Sequence, residues 1–258
     1  MNLEYEKKRV LITVKTYPLP SETYQELVCT AGVLEDGTFI RLYPIDYRYR
    51  QDWQKYKKYQ WIEVELARNP EDHRKESYRP KVESIRILSK KPLSTKNKWA
   101  ERKKYVLPKI AQSMEKLKEM QAKDNTSLGI IKPARISDFV IEKSETDWKP
   151  AMKKVFQQQR LFGPDQKPLE KIPFNFYYKF ECLDPSCKGH TKIMLDWEIG
   201  ELFRKMRDKY RDDEKAAVMV RQRFFDQICG KDIDTHFFVG TNLQYGTWMV
   251  LGAFWPKK

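Results

Sequence analysis

Cys182, Cys187 and His190 stand in the spacing C-x4-C-x2-H. Two thiols and an imidazole on one turn are donors that zinc, a borderline-soft ion, takes readily. Gly189 would let the backbone bend around the ion. The turn is therefore expected to hold Zn²⁺ in a structural role, pinning a hairpin. A fourth ligand must come from elsewhere; Cys229 and His236 are the candidates in the same half, and Cys29 the one outside it. The same residues also read as a free-thiol turn shaped by Asp184-Pro185 and Gly189. Three ligands with an open water position would instead suit hydrolysis. Asp196 and Glu198, with Lys192 on the preceding strand, raise a metal-dependent nuclease reading, since two carboxylates can hold a divalent cation beside a basic surface. A helix start explains both acids without catalysis, because one caps free backbone donors and the other meets the helix dipole. His73 reads as a surface residue and His236, beside Phe237 and Phe238, as a packing residue. No serine or cysteine nucleophile motif, Walker loop or dinucleotide fingerprint is present, so no catalytic residue is assigned.

A second chemistry lies in Tyr47 to Trp61, where Tyr47, Tyr49, Trp53, Tyr56, Tyr59 and Trp61 alternate with Arg48, Arg50, Lys55, Lys57 and Lys58. Single-strand binders pair these types, rings stacking on bases while cations track phosphates. With Arg41 facing outward, the expected nucleic-acid face is Arg41, Arg48, Arg50, Trp53, Lys55, Tyr56, Lys57 and Lys58. The competing arrangement has the rings plugging the end of a barrel, with the charges solvated and Arg41 paired to Glu63 or Glu65. Bulk charge agrees with a polyanionic partner: Lys plus Arg is 50 against 36 Asp plus Glu, a net +14, with a pI near 9.4. Single-stranded nucleic acid, DNA or RNA, is the favoured partner. A protein-binding adaptor with merely solubilising charge is the alternative. No apolar run approaches the roughly 18–20 residues of a membrane span, and the start, MNLEYEKKRVLITVKTYPLP, lacks the pattern of a signal peptide. Four scattered cysteines then read as thiols or metal ligands of a cytoplasmic protein.

The elements that must position these residues follow from periodicity. Arg9 to Thr16 alternates, with Val10, Ile12 and Val14 on one face, and Glu26 to Leu34 is a second strand. Asp36-Gly37 marks a hairpin turn, with Thr38 to Tyr43 returning. Tyr59 to Leu66 alternates with Ile62, Val64 and Leu66 inward, and Val82, Ile85 and Ile87 make a fifth strand. Three strands, a short helical segment and two strands is the element order of an OB-fold barrel, with other five-stranded barrels, including the pseudouridine-synthase-like reader domains, left open. Arg68 to Lys104 reads mostly as solvated surface. Pro108 suits a first helical position, and Leu107, Ile110, Met114 and Leu117 carry that helix to about Ala122. Beyond it, strands at Arg135–Glu142, Phe174–Cys182 and Thr191–Leu195 precede two helices, the first capped by Asp196 and the second over Asp213–Ile228. A hairpin of Thr235–Thr241 and Thr247–Phe254 closes the chain. Gln157 to Pro173 is expected to be irregular. The fold expectation is α+β and β-rich: two OB-like five-stranded barrels with helical insertions. Residues 1–125 form the first barrel with a connecting helix, and 126–258 the second, bearing the metal turn and a two-helix insertion.

VCTAGVLEDGTFIRLYPI followed by YQWIEVEL resembles the opening of the prokaryotic dual OB-containing domain proteins. Cys29, Ala31, Gly32, Phe39, Ile40 and Arg41 carry the likeness, with Trp61 and Ile62. It covers residues 26–66 and implies tandem barrels, association with nucleic acid and service in mobile-element or phage-defence loci.

Overall fold

The computed structural model describes residues 3–21, 25–157 and 169–258. In the first half β1 (Glu6–Lys15), β2 (Thr30–Val33), β3 (Phe39–Leu42), β4 (Trp61–Arg68) and β5 (Ser77–Pro80) close into a barrel. The strands neighbour one another in the order β1-β2-β3-β5-β4 and back to β1, with β3 and β5 parallel. Closure depends on β1 serving two partners. Glu6 to Leu11 pairs with β4, and Leu11 to Lys15 with β2, while a register shift between Ile12 and Val14 bends the strand. The expected inward faces are buried: Val10, Ile12, Ile62, Val64 and Leu66 fill the barrel with Ile40 and Leu42. Gly37 turns the β2–β3 hairpin at φ 77°, and the Asp36 carboxylate accepts the Thr38 amide at 2.9 Å.

The fifth barrel strand is Ser77–Pro80, not the expected Val82–Ile87. β6 (Arg86–Ile87) instead pairs with β4 through Ile62 and Ile87. Arg68 to Lys104 is correspondingly more structured than a solvated run, because it also holds most of α1 (Lys96–Val106). Trp99, near the start of α1, packs edge-on against Tyr59 and Phe254.

The second half begins with α2 (Met114–Asp124). Ser113 caps it by accepting the Lys116 amide at 3.0 Å, so the helix starts well after Pro108. There follow β7 (Leu128–Ile131), β8 (Arg135–Lys143), α3 (Pro150–Gln157), β9 (Phe174–Glu181) and β10 (His190–Ile193). Then come α4 (Trp197–Tyr210), α5 (Asp213–Arg221), a π-helical turn over Gln222–Gln227, β11 (His236–Thr241) and β12 (Trp248–Phe254). The expected excursion over Gln157 to Pro173 lies largely outside the described residues.

No second barrel closes among the described residues. β8-β9-β10 form one open sheet and β12-β11-β7 another, meeting at a parallel bridge between Met194 and Val250. The reason is local. In the first half one bent strand reaches both neighbours; here Lys132-Pro133-Ala134 splits the corresponding stretch. β7 pairs with β11 and β8 with β9, and proline offers no N–H to carry a ladder across the break.

An apolar seam joins the halves: Val14, Ala31, Tyr59 and Trp99 pack with Leu128, Ile130, Phe238 and Phe254. The Tyr17 amide donates to the Leu195 carbonyl at 2.8 Å across it. No helix among the described residues is long and apolar enough to cross a membrane.

Candidate metal centre

Cys182 follows directly on β9, and His190 opens β10, facing Phe180 in the ladder. The turn between them is shaped by Asp184, whose carboxylate accepts the Ser186 amide at 2.9 Å and whose carbonyl accepts the Cys187 amide at 3.0 Å. Gly189 reverses the chain at φ 82°. The turn is thus folded by its own polar groups, and it brings both thiols and the imidazole to one side.

Glu115 stands as the candidate fourth donor. One ligand atom from each of Glu115, Cys182, Cys187 and His190 lies within 4.8 Å of the others, so the group could hold a metal ion. His190 Nε2 is 3.1 Å from Glu115 Oε1 and 3.4 Å from Cys187 Sγ. The Met114 amide donates to Cys182 Sγ at 3.4 Å, and the Cys182 amide to Cys187 Sγ at 3.2 Å. Backbone donors aimed at sulfur favour the thiolate, the form that binds metal. Cys182 and His190 are buried, and Glu115 and Cys187 half-buried. Burial pushes the Cys182 thiol up to about 11, with the Met114 amide opposing it. Burial also lowers the His190 imidazole, offset in part by the Glu115 carboxylate, which leaves the ring neutral and able to donate to a cation. Glu115 Oε2 is buried without a hydrogen-bond partner among the described residues. An unpartnered buried carboxylate oxygen beside two sulfurs and a nitrogen fits a cation, while the other oxygen of Glu115 lies 3.9 Å from Lys118 Nζ.

The expected fourth ligands are elsewhere. Cys229 donates to the Phe224 carbonyl at 3.4 Å, His236 Nδ1 meets the Asp234 carbonyl at 2.9 Å, and Cys29 Sγ accepts from Arg41 at 3.3 Å. Glu115 is not marked by the sequence because it falls off the apolar face of the helix expected from Leu107 to about Ala122, where an acid is an ordinary solvated residue. Only the tertiary approach of α2 to the β9–β10 turn makes it a donor.

The expected nucleic-acid residues do not share one face. Arg41 is 2% exposed; it reaches across the seam and donates to the Ser127 carbonyl at 3.0 Å. Tyr56 is fully buried, its hydroxyl 2.9 Å from that of Thr30. Lys58 is buried between the halves, donating to both Asp196 oxygens at 2.6 and 2.5 Å. Arg48 meets Glu26 at 2.7 Å and Arg50 meets Asp46 at 2.5 Å, both partly buried. Lys55 pairs with Asp52 at 2.9 Å. Trp53, at 63% exposure, and Lys57 project outward. Tyr47, Tyr56 and Tyr59 are buried, whereas Tyr49 and Trp61 are half-buried. Tyr47 and Tyr56 therefore join the barrel core, because rings gain more from burial than from solvent. Arg41, Tyr56 and Lys58 are structural residues of the seam and the barrel.

Asp196 caps α4 by accepting the Glu198 amide at 3.0 Å, and Lys58 takes both its oxygens. Burial raises the Asp196 carboxyl to about 6 against the pull of Lys58. For Lys58, burial acts downward, but the Asp196 and Glu198 carboxylates outweigh it and hold the ammonium above its ordinary value. A lysine occupies the position a divalent cation would need.

A family model described as a domain of unknown function (DUF8757) matches residues 110–258, more than half of the chain. The chain belongs to the DUF8757 family. A second model, likewise a domain of unknown function (DUF8758), matches residues 6–108. The DUF8757 match takes in α2, and with it all four donors of the candidate centre. No curated protein matches the chain.

Proposed function

We propose that this is a nucleic-acid-binding protein in which a single strand lies along a groove between the barrel and α2. The observation that carries this reading is the groove itself, an open channel of about 560 Å³. It is lined on the barrel side by Phe39 of β3 and Tyr78 of β5, and on the other side by Leu117 and Met120 of α2. Lys75 and Lys109 stand at its edges. Both rings are half-buried, and the Arg68 guanidinium stands over the Tyr78 ring at 5.1 Å, so a base would stack on Phe39 and on the part of Tyr78 that Arg68 does not cover. The lysines are paired to Asp124 and Asp36, but all four side chains are well exposed, and such surface pairs hold by only about 0–1 kcal/mol. Phosphates can replace those carboxylates at little cost. The strand order of the closed barrel, with its third and fifth strands parallel, supports assigning it to the OB class. The sheets of the second half support a related unit whose first strand is split at Pro133. OB barrels bind oligonucleotides over the face of their second and third strands and the adjoining loops, and the net charge of +14 favours a polyanion.

The centre at Glu115, Cys182, Cys187 and His190 we assign to Zn²⁺ in a structural role. Two thiols, an imidazole and a carboxylate suit zinc, whereas magnesium and calcium select oxygen alone. Bound there, zinc would supply cross-linking of α2 to the β9–β10 turn, and no step of catalysis is routed through it.

The test of the binding reading is fluorescence anisotropy with labelled single-stranded DNA, single-stranded RNA and duplex at several salt concentrations. The wild-type protein should prefer single strands. A Lys75→Glu/Lys109→Glu variant should bind more weakly, with a salt slope shallower by about 1.4, two phosphate contacts at about 0.7 each. Unchanged slope and affinity in that variant would remove the groove from consideration.

A further inference from the structure

We infer that the metal centre sets the groove: the ion that Glu115 helps to hold positions α2, and α2 is one wall of the nucleic-acid channel. This rests on the binding reading above. Glu115 and Leu117 are two residues apart, which places them roughly 200° apart around a helix. One side of α2 thus faces Cys182, Cys187 and His190, and another side supplies Leu117 and Met120 to the channel. The same short element carries both sites.

The two ends of α2 are held differently. At the C-terminal end Gln121 donates to the Gly246 carbonyl at 2.9 Å and accepts from the Trp248 indole at 2.6 Å. That end is tied to the β11–β12 hairpin by neutral, metal-independent hydrogen bonds. At the N-terminal end the ties run to the metal turn. Ser113 donates to Asp184 at 2.9 Å, Met114 donates to Cys182 Sγ, and Glu115 faces His190. Ala111 pairs with β7 just upstream, so the course of the chain into α2 is fixed without an ion. What the ion fixes is the first turn. An eleven-residue helix is marginal by itself, and this one has only Met114 and Leu117 buried. Its N-terminal turn is held by these contacts together with the Glu115 tether, and Leu117 lies within that turn's reach.

The chemistry of the tether explains why an ion is needed rather than the Glu115–His190 contact alone. Without a cation Glu115 keeps one buried oxygen unpartnered, which costs free energy that a local rotation of the first turn would relieve. With a cation both the carboxylate and the sulfurs are satisfied, and the turn stays where the channel requires it.

The experiment uses the full-length protein in three states: as purified, stripped by a chelator, and reloaded with Zn²⁺. Elemental analysis gives metal per chain, and cobalt substitution reports thiolate ligation through its visible bands. Hydrogen exchange follows α2 and, as an internal control, β1 and β4. Single-strand affinity is measured in all three states. The inference expects one ion per chain and, on stripping, faster exchange over residues 114–118 with barrel strands unchanged. It also expects affinity to fall at least about fivefold, a coupling within the ordinary allosteric range, and to return on reloading. Because stripping can loosen more than α2, Glu115→Gln and Glu115→Cys are run in parallel. The first should hold metal and oligonucleotide less tightly, and the second should restore both. Protein that binds one ion and binds oligonucleotide equally well in every state overturns this inference and leaves the binding reading standing. Loaded protein that binds no oligonucleotide overturns both. No metal above trace levels overturns the centre and this coupling with it.

Discussion

Lys58→Met should be among the most damaging single substitutions in the chain. Lys58 Nζ lies 2.6 and 2.5 Å from the two oxygens of Asp196 and 3.6 Å from Glu198. The two paired side chains are 8% and 2% exposed, so water cannot replace the ammonium when it is removed. A buried pair broken on one side typically costs about 3–5 kcal/mol, because the remaining charge is left uncompensated. The loss should depend on pH, with a definite sign. Burial already holds the Asp196 carboxyl up at about 6 in the native protein, and removing the Lys58 charge raises it further. A carboxyl whose folded value exceeds its unfolded one contributes stability at low pH that disappears as pH rises through the folded value. The deficit of Lys58→Met should therefore be largest near pH 8 and shrink toward about pH 5, where the orphaned acid takes a proton. Asp196→Asn keeps an acceptor for the Glu198 amide, so Lys58→Met/Asp196→Asn should recover most of the loss. Urea unfolding followed by tryptophan fluorescence at several pH values measures all three variants. A loss below about 1 kcal/mol that is the same across the pH range would mean that the pair is solvated and the seam argument wrong.

Asp72 gives the opposite pH sign. Burial acts to raise its carboxyl, but hydrogen bonds from Arg74 and Ser77 prevail and hold it at about 2. A depressed carboxyl stabilises the fold above its unfolded value, and that stability is lost as pH falls through the folded one. Asp72→Asn should therefore cost up to about 2 kcal/mol at neutral pH, and its stability curve should be flatter than wild type between about pH 4 and 2 in acid-unfolding titrations. Gly200→Ala tests the packing of α4 on the first half. A methyl there would sit 2.2 Å from Tyr17 Cε2, so the helix or the ring must move, at about 1–3 kcal/mol. Calorimetry should record a lower Tm, and an unchanged Tm would show that Tyr17 is free to swing aside.

Much of the first half was legible because alternation is a local signal. Val10, Ile12, Ile62, Val64 and Leu66 could be placed inward from their own neighbours, and Gly37 marked its turn. The clustering of two thiols and an imidazole that could hold a metal ion was legible for the same reason, as they lie within one short stretch. Glu115 was not, since it reaches the turn only through the packing of α2 on the β9–β10 hairpin. β7 was missed because Leu128 to Ile131 is a short apolar run with no alternation to mark it. That the Arg41, Tyr56 and Lys58 side chains are covered was not legible for a related reason. Sequence shows that a cation or ring is present; whether a second half of the molecule will cover it depends on surfaces hundreds of bonds away along the chain.

That covering changes how the charge of this protein must be understood. β2 is buried along its whole length, and Arg41 of β3 spends its guanidinium on Ser127 of the second half. Glu76, beside β5, accepts the Ser127 amide at 2.9 Å and its hydroxyl at 2.7 Å. Arg74 reaches the Thr241 carbonyl at 2.7 Å. The face of β2 and β3 is thus taken up, over its middle, by the chain's own second half. The part beside Phe39 and Tyr78 stays open, and there α2 forms the opposite wall. A strand of bases entering that channel would touch both halves at once. On the proposed reading neither half alone would contain the site, and a metal held between α2 and the β9–β10 turn would bear on it.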